Sequence, residues 1–200
     1  MACSSLHILI AEQYCKEHNI HNTKPYLEGA ILPDIQADKV SSHFGKKIRP
    51  TSLKEALEAK IDIKECINSL NFNDETQRGI FLHLLTDYIY YNFLYEEKFE
   101  SISLPTILAS IANDASVMTK EITKKHNISL PEKYHQLIQP KEDCGKYLLF
   151  KGDKLNNFIK LVSSLQIDDA KKSILKNEKD FLNNCLITLN CEQAESGSEE

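Results

Sequence analysis

His83 and Asp87 lie four residues apart inside the apolar, aromatic run GIFLHLLTDYIYYNFLY, residues 79–95. A helix places residues at that spacing on one face, with Cβ atoms about 5–6 Å apart. An imidazole nitrogen and a carboxylate oxygen can then reach one ion, each at about 2.0–2.2 Å if the ion is zinc. Burying the carboxylate is costly unless it is paired. For these two residues alone, a core hydrogen bond meets that demand more simply than a metal does.

The stretch HNTKPYLEGAILPDIQADKVSSHFGKKIRPTS, residues 21–52, tips the balance. With three prolines and two glycines it reads as a long connection, and a long loop in a compact domain is more often functional than idle. Asp34 directly follows Pro33, and His43 stands nine residues on, both among apolar or small neighbours. Pro33 restricts the backbone before the carboxylate, and Gly29 and Gly45 allow tight turns at either end. Asp34, His43, His83 and Asp87 make a set of two histidines and two carboxylates, enough to hold zinc, with water completing the coordination needed for chemistry. His7 is a fifth candidate. Manganese and iron are compatible with the same donors.

The order H…G-x-x-x-P-D…H-F…H-x-x-x-D is carried by His7, Gly29, Pro33-Asp34, His43-Phe44 and His83-x-x-x-Asp87. It resembles the zinc-dependent phospholipase C family, in particular its small bacterial branch, over roughly residues 5–127. The wider superfamily includes single-strand-specific fungal nucleases. In that family an all-helical domain holds a buried cluster of up to three zinc ions that hydrolyses phosphodiesters. The resemblance implies a first metal on Asp34, His43, His83 and Asp87, and a second shared between His7 and a bridging Asp87. Asp34 and Asp87 become the catalytic carboxylates, with Asp34 a ligand in preference to a base that orients water. The family's further histidine is replaced here by Phe93; His126 and His135 are followed four residues on by Leu130 and Gln139, and tryptophan is absent. One or two metals, not three, are therefore implied.

The function so implied is hydrolysis of a small phosphoester or phosphodiester. The alternative is a non-catalytic metal-binding, structural or interaction protein that keeps the helical fold. An HD-type phosphohydrolase calls for an adjacent His-Asp dipeptide, which the chain lacks. On the His83 face, Tyr90 offers a hydroxyl to a phosphate oxygen as part of a substrate wall. Asp114 is a candidate acceptor for a ligand histidine. The lysines and the arginine of residues 39–54 read as solvated, though placed to meet a phosphate beside His43.

The elements that must position these residues are helical. Ser4 and Ser5 can cap a first helix running to about His18. Ser52, with Glu55 three residues later, starts a helix over SLKEALEAKIDIKECINSL. Asp74 or Thr76 can cap the helix of His83, which SISLP ends after Phe99. Further helices are expected over residues 106–127, 153–166 and 168–190, with residues 128–152 mixed. The expectation is an all-α, single multi-helix domain over residues 1–191 with a long metal-binding loop after the first helix, and a disordered acidic tail over 192–200.

Two hundred residues suffice for one core without disulfide staples. The net charge of −5 argues against bulk nucleic-acid binding. Six scattered cysteines form no C-x-x-C, and the short LHILIA run lacks the features of a signal peptide. Reduced thiols in the cytoplasm are expected, and no apolar run reaches membrane-spanning length. Oligomeric state is not legible.

Overall fold

Helix α1, Ser4–Glu17, is buried along nearly its whole length, from Ser4 through Ala11 and again at Tyr14 and Cys15. A helix covered on so many sides must lie inside the bundle. The computed structural model describes residues 3–96, 103–126 and 153–195. Among these, the other helices are α2 (Lys24–Ile35), α3 (Lys39–Ser42), α4 (Leu53–Glu58), α5 (Ile63–Ser69), α6 (Glu75–Glu96), α7 (Leu104–His126), α8 (Asp153–Ser164) and α9 (Ile167–Glu195). No strand occurs among the described residues, so the all-α expectation is met. None of the helices is long and apolar enough to cross a membrane.

The long loop expected after α1 instead contains two helices, Lys24–Ile35 and Lys39–Ser42. Pro25 sits in the first turn of α2, where its missing N–H costs nothing. Pro33 lies inside the last turn, two residues before the end. Asp34 is therefore fixed on a helix. Ser42 Oγ donates to the Pro33 carbonyl at 2.8 Å, tying α3 back to that last turn.

α2 lies along α6 at unusually short range. A Cβ on Gly29 would meet the Thr76 carbonyl oxygen at 2.2 Å, and one on Gly79 would meet the Tyr26 carbonyl oxygen at 2.6 Å. Two helices can approach so closely only where both lack side chains. α6 also packs on α9, α4, α5 and α1, while α1 touches α2, α7 and α8.

Two other expectations change. Ser4 and Ser5 do not cap α1: Cys3 is the N-cap, and both serines are buried within the first turn. The single helix expected from Ser52 is two, because Asp62 caps a fresh start by accepting from Glu65 N at 3.1 Å. The Ser52–Glu55 start does form, with Glu55 N donating to Ser52 Oγ at 3.2 Å. Asp74 caps α6 through Thr76 N at 2.8 Å. α9 is interrupted at Asn177 and continues to Glu195, so the acidic tail expected from residue 192 overlaps it. The helix end expected after Phe99 falls on residues 97–102, the mixed stretch on 128–152 and the end of the tail on 196–200, all outside the described residues, while Leu104 and Pro105 of SISLP already open α7. Cys3, Cys15, Cys66 and Cys185 are free thiols.

Candidate metal centre

Four helices converge on one buried group of histidines and carboxylates. α6 supplies His83 and Asp87, α2 supplies Asp34, and α1 supplies His7, all at most 4% exposed. His43 is the C-cap of α3 and is 3% exposed. Its placement follows from the way α3 ends. Gly45 N donates to the Val40 carbonyl at 2.8 Å and Phe44 N to Ser41 at 3.1 Å, with Phe44 at φ 54°. This is a Schellman reversal with phenylalanine in the left-handed position usually given to glycine. The chain turns sharply just after His43 and leaves its ring facing inward.

Both of the central imidazoles have their tautomer fixed by backbone. His83 Nδ1 lies 2.7 Å from the Ala30 carbonyl oxygen, and His43 Nδ1 lies 2.8 Å from the Lys39 carbonyl oxygen. A carbonyl only accepts, so each Nδ1 carries the proton. Each Nε2 of a neutral ring is then a bare lone pair, and the two stand 3.2 Å apart. Two lone pairs at that distance repel unless a cation lies between them. Donors about 2.0–2.1 Å from a tetrahedral ion would stand about 3.3 Å apart, so the spacing fits one ion on both nitrogens.

The carboxylates complete the group. His43 Nε2 is 3.9 Å from Asp34 Oδ1 and 3.7 Å from Asp87 Oδ2, and His83 Nε2 is 3.8 Å from the same Asp87 oxygen. Asp34 Oδ1 is buried with no hydrogen-bond partner, while Oδ2 accepts from Ser4 Oγ at 2.7 Å. On the far side of Asp87, Oδ1 lies 3.3 Å from His7 Nε2, and the His7 ring stacks on His83 with centroids 3.6 Å apart. Two triads, Asp34–His43–His83 and His7–His83–Asp87, each have donor atoms within 4.8 Å of one another. These buried groups could hold a metal ion.

Electrostatics favour the ligand forms. Burial pushes the His83 imidazolium down to about 3 and lowers His43 as well, so both rings are neutral near pH 7. Burial works to raise Asp34 and Asp87, yet both carboxyls stay below the usual range, Asp34 with the Ser4 hydroxyl bonded to it and Asp87 with His7 Nε2 at 3.3 Å. The group thus presents acceptor nitrogens and anionic oxygens together.

A cavity of about 700 Å³ opens beside the group. His43 and Tyr91 line its wall with Val40, Ile48, Pro50, Ala56 and Leu108, and Lys39, Lys46, Lys47, Arg49 and Lys60 border it. Lys46 pairs with Asp62 at 3.4 Å and Lys47 with Asp38 at 3.2 Å. Among the described residues no carboxylate pairs with Lys39, Arg49 or Lys60.

Of the residues expected in a substrate wall, Tyr90 does not border this cavity; its ring packs against Phe158 of α8 at 6.2 Å between centroids. Asp114 is buried on α7, where its charge acts on the Tyr90 phenol, and it belongs to neither triad. The helical spacing puts Tyr91 only at the edge of the His83 face, with Tyr90 as the wall residue; the structure makes Tyr91, not Tyr90, a lining residue of the cavity. Ser4, expected as a cap, is the partner of Asp34.

Comparison of the chain with family models, curated proteins and solved structures found no match. Fold and site together define an all-α domain with a buried histidine–aspartate group able to hold a metal ion.

Proposed function

We propose that this protein is a metal-dependent phosphoester hydrolase, similar in its site to the zinc-dependent phospholipase C family, with zinc as the metal. The observation that carries the reading is the place of His43. Its Nε2 faces His83 at 3.2 Å, and the same residue lines the cationic cavity. An anion drawn in by Lys39, Arg49 and Lys60 is thereby brought to the metal group.

Asp34, His43, His83 and Asp87 would hold one ion, and His7 with Asp87 a second. A divalent ion so bound supplies Lewis acidity toward a phosphoryl oxygen and makes water a better nucleophile near neutral pH. The chain's own residues set the conditions. The Ala30 and Lys39 carbonyls keep both Nδ1 protons in place, so Nε2 remains a ligand atom. Ser4 holds the Asp34 carboxylate in one orientation. The apolar side of the cavity limits water around a bound ester.

Burial supports a second reading. All five donors are at most 4% exposed, as in structural sites closed by their ligands. The test is hydrolysis of p-nitrophenyl phosphate and bis-p-nitrophenyl phosphate by zinc-loaded and chelator-treated protein. Turnover that follows the metal and is lost in Arg49→Gln supports the hydrolase. Stoichiometric metal with no turnover on either ester would leave a structural site.

A further inference from the structure

Tyr91 is 3% exposed, and its hydroxyl is buried with no hydrogen-bond partner. Burying a hydroxyl unpaired is costly, and native structures rarely leave one so. The exception has a place. Tyr91 follows Asp87 by four residues on α6, lines the cationic cavity together with His43, and borders a second cavity between α4, α5 and α9. Burial, then the charges of Asp87 and Asp34, push its phenol well above the usual value, so it remains a donor.

The cavity's lining is of three kinds: buried His43 and Tyr91, apolar Val40, Ala56 and Leu108, and exposed Lys39, Arg49 and Lys60 with no carboxylate partner among the described residues. About 700 Å³ is room for an organic molecule, not only for a phosphate group. A cationic head group would meet like charge at the border.

We propose that this cavity is a two-point subsite for anionic phosphoesters: the buried Tyr91 donates a hydrogen bond to a non-bridging phosphoryl oxygen, and the exposed Lys39, Arg49 and Lys60 receive a second anionic group on the organic part. The proposal rests on the hydrolase reading of the adjoining metal group. It assigns preference to phosphoesters bearing a carboxylate or further phosphate, against zwitterionic esters with an ammonium head.

Two non-hydrolysable probes test it on the full chain, after its metal content has been measured. Calorimetric titration compares 3-phosphonopropionate, which carries a second anion, with 2-aminoethylphosphonate, which carries a cation. The expected result is tighter binding of the propionate by about tenfold, a preference that shrinks with added salt. Arg49→Gln should narrow that preference, whereas Tyr91→Phe should weaken both probes by about tenfold or more while keeping metal stoichiometry and Tm. Equal affinity for the two probes, binding of neither, or wild-type affinity in Tyr91→Phe overturns the proposal. Should Tyr91→Phe not fold, the ring ¹³Cζ resonances of the wild type decide. One tyrosine signal must move on saturation, and no movement is contrary to the proposal. Absence of metal in the first measurement counts against the hydrolase reading alone, and the same titrations on metal-free protein still read the subsite.

Discussion

Gly29 and Gly79 meet backbone to backbone: a Cβ on Gly79 would stand 3.1 Å from the Gly29 Cα and 2.6 Å from the Tyr26 carbonyl oxygen. This contact sets the spacing of α2 and α6. The Ala30 carbonyl, next to Gly29, reaches His83 Nδ1 at 2.7 Å only because the helices touch. The same register brings Asp34 Oδ1 to 3.9 Å and Asp87 Oδ2 to 3.7 Å from His43 Nε2.

Gly79→Ala should therefore destabilise the fold and disorganise the site together. Helix propensity alone favours alanine by about 0.5–1 kcal/mol. Against it stands overpacking, which costs about 1–3 kcal/mol, and backbone at 2.6 Å cannot rotate away. Net destabilisation in urea unfolding, with weaker metal binding, is the expected outcome. A more stable variant would show that α2 shifts freely.

Ser4→Ala removes the donor to Asp34 Oδ2, whose other oxygen is already unpartnered by hydrogen bonds. Losing a hydrogen bond to a buried carboxylate costs about 1.5–3 kcal/mol. Partners of metal ligands commonly affect affinity by about 10- to 100-fold. Both losses are expected, and calorimetry with zinc measures the second. Unchanged affinity would remove Ser4 from the site.

Arg78 joins three elements: Nε donates to Tyr26 Oη at 3.0 Å, Nη1 to the Phe72 carbonyl at 3.3 Å and Nη2 to Asp168 at 3.0 Å. The guanidinium holds the Asp168 carboxyl below its ordinary value. A carboxyl lowered in the folded state adds stability above its unfolded value of about 3.9, and that stability is lost as pH falls through the folded value. Because the Asp168 side chain is 51% exposed, the contribution should be below about 1 kcal/mol. Asp168→Asn should be less stable than wild type at pH 7, with the gap closing as pH drops below the folded value. A gap that persists unchanged in acid would assign the loss to packing.

The all-α class was legible because apolar residues recur with helical spacing and alternate nowhere. The residues of the buried histidine–aspartate group were legible because a histidine and a carboxylate inside an apolar run need a reason to be there. The helical state of Lys24–Ile35 was not, since Pro25 and Pro33 look like breaks unless one knows that the first falls at the start of a helix and the second in its last turn. Asp62 with Glu65 carried a capping signal as clear as that of Ser52 with Glu55, and reading it would have divided α4 from α5. Tyr90 and Tyr91 flank the same helix face, and only the positions of α8 and the cavity decide which one meets the site. The cationic border is built from residues 39–60 folded back on themselves, a tertiary fact with no local pattern.

Metal binding by the buried histidine–aspartate group is tested most directly by plasma mass spectrometry on untagged protein reconstituted with zinc, manganese or iron, set beside His43→Ala and the His83→Ala, Asp87→Ala double variant. Stoichiometric metal in the wild type, lost in variants that keep their helical circular dichroism, is the expected result. A folded wild type that retains none of the three metals would contradict it.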